Sequence, residues 1–177
     1  MDTGGVQLLT LPAIDVIRRH STFPVEALFP AQVVLDPPKG LDRNARVVIP
    51  SLSGTTRESV ELMAFLKARG VPTLSLTGHA ATPPAREATL TFTNFAKDDT
   101  SSESFYLQTL IIALALLAET GALPEAPALM AELAGLPALL VAAKEACEPE
   151  AARLAESIRD EPWHIFTGAG AGWPQAH

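Results

Sequence analysis

The stretch that most constrains the fold is VVIPSLSGTTRESVELMAFLKARG, residues 47–70. A compact apolar run, VVI, fits a buried strand. The loop Ser51-Leu52-Ser53-Gly54-Thr55-Thr56 that follows is built almost wholly from hydroxyl residues and glycine. Val60, Leu62, Met63, Phe65 and Leu66 then recur at helical spacing until Arg69 and Gly70, where a glycine ends the helix. The unit is strand, polar loop, helix. PTLSLT (residues 72–77) and ATLTFTN (residues 88–94) have the length and alternation of two further strands. Parallel strands need crossover connections, so strands separated by helices predict an α/β fold with a parallel sheet. In such sheets ligands bind at the carboxyl ends of the strands.

Around this unit the chain is more varied. Residues 8–19 predict a helix, with Pro12 allowed near its first turn. Residues 25–29 predict a short strand by their aromatic and β-branched content, and residues 36–44 (DPPKGLDRN) a turn-rich connection. Residues 102–119 form a helical segment that is apolar nearly all round, which one covered face does not satisfy, so it is expected at a domain or subunit interface. Residues 124–161, rich in Ala, Leu and Glu and punctuated by Pro124, Pro127, Pro137 and Pro149, predict two or three connecting helices. WHIFT (residues 163–167) then predicts a fresh strand, and Gly168 to Gly172 a second glycine loop.

Charge and composition exclude several classes of partner. Thirteen Lys and Arg stand against 20 Asp and Glu, a formal charge of −7, with no basic block, so neither nucleic acid nor an anionic membrane is expected as a partner. A hydrophobic fraction of 47% with 19% charged residues suits a folded chain rather than a disordered one. Residues 105–118, the most apolar segment, fall short of the ~20 residues that a spanning helix needs. The N-terminus places Asp2 before its apolar stretch and Arg18 and Arg19 after it, the wrong order for a secretory signal. With Cys147 as the single cysteine, a cytoplasmic location is expected. His20, His79, His164 and His177 share no metal-ligand spacing, so neither a metal nor a cofactor is expected.

The loop at residues 51–56 suits an oxyanion. At a helix N-terminus several N–H groups lack internal partners, and the helix dipole adds a potential of roughly half an elementary charge. Ser51, Ser53 and Thr56 carry hydroxyl donors, and Gly54 lets the backbone approach closely. A second reading makes Ser53 or Thr56 a plain helix cap, with Glu58 or Glu61 closing a capping box. The loop has neither the GK[ST] ending of a Walker loop nor GxGxxG, and no aromatic residues for a flavin. Ser53 also lacks the GxSxG setting of a hydrolase nucleophile. His79 stands at a predicted strand end, where it is either near ligand or a solvated turn residue. The acidic cluster Asp98, Asp99 and Glu103 reads first as dipole-favourable charge before a helix.

The segment VVIPSLSGTTRESVELMAFLKARGVPTLSLTGHAATPPAREATLTF resembles the SIS (sugar isomerase) domain: apolar strand, SxSGxT loop, helix, a glycine before the next strand, a threonine ending it, and a proline-containing turn. The flanking text PVEALFPAQVVLDPPKGL and AGLPALLVAAKEA is similar to the fructosamine-phosphate deglycase branch, with the isomerase half of glucosamine-6-phosphate synthase more distant. The resemblance implies a flavodoxin-like three-layer sandwich over residues 1–122, a helical connector over 123–161, and the start of a second such domain over 162–177. It implies a homo-oligomer whose ligand is a phosphorylated sugar or amino-sugar. The phosphate would be held by Ser51, Ser53 and Thr56 with the amides of Leu52 and Gly54. The sugar would lie near Gly4, Gly5 and Ser101 or Ser102.

Three departures from the family pattern bear on activity: no strand precedes Gly4, Val6 replaces a serine, and Gln32 stands where deglycase relatives tend to carry a glutamate. The family's proton-transferring glutamate follows the second glycine loop, and only Trp173 to His177 follow Gly172. No catalytic residue is therefore assigned in this chain. The expected function is phosphosugar binding within an isomerase or deglycase that moves a proton on a ketose or amino-ketose 6-phosphate. A non-catalytic, phosphosugar-sensing module is the alternative.

Overall fold

The computed structural model describes residues 8–94 and 103–165. Three strands, β1 (Val47–Pro50), β2 (Thr73–Thr77) and β3 (Leu90–Thr93), form a parallel sheet in the order β1-β2-β3. Helices α1 (Leu11–His20) and α2 (Pro30–Leu35) precede the sheet. The crossovers between its strands carry α3 (Arg57–Ala68) and α4 (Pro83–Glu87). Helices α5 (Glu103–Glu119), α6 (Ala126–Leu133) and α7 (Leu136–Ile158) follow. This is an α/β fold, a parallel sheet flanked by helices with a long helix near the C-terminus.

The register explains the core. Val47 pairs with Thr73, Ile49 with Ser75, and Ser75 with Thr91, so these side chains share one face of the sheet. Ile49 lies in a cluster with Leu62, Met63 and Leu66 of α3, Val33 of α2, and Val71. The buried Thr73 hydroxyl contacts the Met63 sulfur at 3.7 Å. Val48, Leu74 and Leu90 share the opposite face with Pro50, Leu76 and Phe92. Leu76 is fully buried there, whereas Val48, Leu90 and Phe92 remain exposed. Gly70, at φ 64°, reverses the chain after α3, and Val71 N–H donates back to the Leu66 carbonyl.

The chain divides into two compact units, residues 1–113 and residues 114–177. The first contains the sheet with α1–α4. In the second, the amides of Ala122 and Leu123 fold back onto the Leu117 carbonyl and close the C-terminus of α5. Helix α7 has no buried residue along its whole length.

Several expectations are corrected. Residues 25–29 form no strand: Pro30 opens α2 as a first-turn proline, and the burial of Val33 against α3 outweighs the β-propensity of the neighbouring valines. Residues 163–165 carry no strand assignment, with Trp163 and Ile165 exposed, and residues 166–167 of the expected strand lie outside the described residues. Residues 124–161 hold two helices, α6 and α7, within the expected two or three, and Pro149 lies inside α7. The turn after β2 holds a short helix, α4, with proline in its first turn. Helix α5 is covered on the stripe Phe105, Thr109, Ala113, Leu114 and Leu117, leaving Ile111 and Leu116 as its exposed apolar residues. Gly4, Gly5, Val6, Asp98, Asp99, Ser101, Ser102 and residues 166–172 lie outside the described residues.

Candidate functional site

The loop at residues 51–56 leaves the carboxyl end of β1 and enters α3, as an α/β crossover requires. Its first amide, Ser51 N–H, still continues the sheet by donating to Leu76 O at 2.8 Å. Thereafter the backbone turns away from the sheet. Gly54 is buried and adopts φ 59°. An added Cβ there would overlap Thr82, lying 2.8 Å from its Cβ and 2.9 Å from its Cγ2 and colliding with its Oγ1. Glycine is required both by conformation and by the neighbour that fills its space.

The hydroxyls form two groups. Ser51 Oγ lies 3.2 Å from Thr56 Oγ1, which lies 3.4 Å from Ser59 Oγ. Ser51 and Ser59 are buried, so this chain runs beneath the loop. Above it, the exposed Ser53 Oγ accepts from both the N–H and the hydroxyl of Thr55, at 3.3 and 3.2 Å. The reading of Thr56 as a plain cap does not hold: it occupies the N-cap position of α3 and makes no side-chain cap hydrogen bond. Glu61 does not close a capping box, because its carboxylate binds Arg57 Nε at 2.7 Å. That bond raises the Arg57 pKa and keeps the guanidinium charged. Among the described residues, the N–H groups of Leu52, Ser53, Gly54 and Thr56 donate to no protein acceptor. The opening turn of α3 thus presents unpaired donors and neutral hydroxyls together.

The turn after β2 lies alongside. Thr77 Oγ1 and Gly78 N–H both donate to the Leu52 carbonyl, each at 3.1 Å. His79 is exposed, its N–H donating to Thr77 Oγ1 and its carbonyl accepting from Thr82 Oγ1 at 3.0 Å. Asn94 N–H donates to the Thr77 carbonyl, and Asn94 Nδ2 to Ser104 Oγ at 3.0 Å, so the start of α5 reaches the same edge of the sheet. Gln32 is exposed on α2. Among the described residues no three His, Cys, Asp or Glu side chains converge as a metal site would require.

Sequence reasoning missed Ser59 and Thr82. Ser59 carried a faint signal, standing three residues after Thr56 and hence on the same helix face. Thr82 carried none, because its role depends on the gap above Gly54.

Comparison with known proteins bears on the family and the fold. Residues 28–118, just over half of the chain, match the SIS domain. The chain belongs to the SIS domain family. No curated protein matches it in sequence. Among solved structures, it is similar to a protein from Salmonella typhimurium LT2 assigned as a phosphosugar isomerase, with TM-score 0.83 and 22% identity over 98% of this chain and 53% of that one. The C-terminal domain of glucosamine-fructose-6-phosphate aminotransferase from Francisella tularensis gives TM-score 0.84 and 18% identity, over 98% and 51% of the two chains. A protein from Silicibacter pomeroyi DSS-3, also assigned as a phosphosugar isomerase, gives 0.73 and 25%, over 95% and 50%. The chain spans about half the length of these solved relatives.

Proposed function

We propose that this SIS domain binds a phosphorylated sugar or amino-sugar, with the phosphate at the loop of residues 51–56, and that it is part of a protein acting on a ketose or amino-ketose 6-phosphate. The observation that carries the reading is the set of unpaired N–H groups of Leu52, Ser53, Gly54 and Thr56 at the start of α3 beside the hydroxyls of Ser51, Ser53 and Thr56. Neutral donors and a helix N-terminus recognise a phosphate without a lysine. The Asn94–Ser104 bond supports a sugar position near Ser101 or Ser102, and the resemblance adds Gly4 and Gly5. Substrate held at its phosphate presents the carbon beside its carbonyl for proton removal and return, the step of isomerisation or deglycation.

Calorimetric titration of fructose 6-phosphate, fructose and inorganic phosphate tests the site. The expected result is binding of both phosphates and not of fructose, with affinity for fructose 6-phosphate reduced roughly ten- to hundredfold in Ser53→Ala, the cost of one charge-assisted hydrogen bond. Equal affinities in the two proteins would overturn the cradle. Solvent deuterium incorporated beside the carbonyl separates a proton-transferring enzyme from a sensing module, which would bind without exchange.

A further inference from the structure

We propose that Thr77 is a positioning residue for anion recognition: its buried hydroxyl fixes the Leu52–Ser53 peptide so that the Ser53 N–H faces the ligand. The inference rests on the phosphosugar-binding reading above and adds a residue outside the loop. Thr77 is 1% exposed, out of reach of a ligand, yet its hydroxyl both donates and accepts within the protein. It donates to the Leu52 carbonyl at 3.1 Å and accepts from His79 N–H at 3.1 Å. Gly78 N–H gives the same carbonyl a second bond. In a planar trans peptide the C=O and the next N–H point in opposite directions. Holding the Leu52 oxygen against the β2 turn therefore turns the Ser53 N–H away from that turn, toward the open side of the loop. The trans geometry makes one threonine hydroxyl a lever on a donor in a neighbouring strand's loop.

Thr82 restrains the loop at a second point, by packing rather than by a hydrogen bond to it. Its hydroxyl is anchored on the His79 carbonyl, and its side chain fills the space where a Gly54 Cβ would stand, so the turn also backs the loop at Gly54. The turn from Thr77 to Thr82 thus holds the loop from behind at two points. These restraints come from the fold itself and fix the orientation of the loop's donors, which lowers the ordering cost of binding.

The test compares wild type, Thr77→Ser and Thr77→Val by calorimetry with inorganic phosphate and with fructose 6-phosphate, alongside urea unfolding. Valine keeps the shape and removes the hydroxyl; serine keeps the hydroxyl. The expected result is affinity within about threefold of wild type for Thr77→Ser and at least about tenfold weaker for Thr77→Val, the size of one misaimed charge-assisted hydrogen bond. Thr77→Val that remains folded and binds as wild type overturns the positioning role while leaving the site intact. Wild type that binds neither phosphate overturns the site reading, and this inference with it. A measurement on wild type alone covers the case in which Thr77→Val does not fold: in ¹⁵N-labelled protein titrated with inorganic phosphate, the Ser53 amide signal is expected to move more than that of Thr55, whose N–H is already bonded to Ser53 Oγ. A Ser53 amide that stays still while phosphate binds overturns the inference.

Discussion

Gly54 and Thr82 show how two residues can share one space. At φ 59°, an alanine at position 54 suffers the left-handed backbone penalty and drives its Cβ into Thr82. The two costs together predict that Gly54→Ala destabilises the protein by about 2–5 kcal/mol. Removing the Thr82 side chain as well should relieve the steric part and leave the backbone part. A double-mutant cycle of Gly54→Ala with Thr82→Gly, read by urea unfolding, should therefore give a coupling of about 1–3 kcal/mol. Additive costs would mean that the loop moves aside and that Thr82 does not set its shape. At this scale the sequence shows hydroxyls and glycines but not their pairing. Ser51, Ser53 and Thr56 stand out because they are adjacent in the chain. Thr77 and Thr82 meet Leu52 and Gly54 across 25 and 28 positions, contacts that only the β1–β2 register creates.

Elements whose local pattern agrees with their tertiary setting are the ones legible beforehand. β1, α3 and β2 fall where periodicity places them, because each has one face that the sheet or its covering helix must bury, while β3 falls in place through its pairing with β2 although Leu90 and Phe92 stay exposed. Residues 25–29 fail for the complementary reason: they have the composition of a strand but no partner strand, and Pro30 starts a helix at the next position. The same logic separates energetic cost along the chain. Leu66 is fully buried between α3 and the sheet, whereas Leu140 on α7 is 57% exposed. Leu66→Ala should cost about 2–5 kcal/mol in unfolding free energy, by lost burial and the cavity left behind. Leu140→Ala in dilute monomer should stay within about 0.5 kcal/mol. Similar costs at the two positions, measured by urea unfolding at low protein concentration, would contradict the core placed under α3.

For the whole molecule, the exposed apolar surface of α7 is what remains unaccounted for. Leu140, Ala143, Cys147, Ala151 and Leu154 recur at helical spacing along one side of this helix, and every one of them is exposed. A stripe repeating at three and four residues is the pattern by which helices pair. The covered stripe of α5 supplies less such surface than its sequence predicts, so α7 is the better candidate for the expected self-association. Homo-oligomer interfaces are most often two-fold, and a two-fold pairing of identical helices brings residues near the crossing point next to their own copies. Cys147 stands midway between Leu136 and Ile158, with its thiol exposed. If two copies cross there, mild oxidation should give a disulfide-linked dimer that Cys147→Ser abolishes on a non-reducing gel. Sedimentation should show a dimer or larger closed species at a working concentration of about tens of micromolar for a specific interface. Leu140→Glu combined with Leu154→Glu, which puts charge at both ends of the stripe, should return it to monomer. A wild type that is monomeric throughout this range would remove self-association, while a stable oligomer indifferent to both glutamates and to Cys147 would place the interface on another surface, such as the exposed Val48, Leu90 and Phe92 of the sheet.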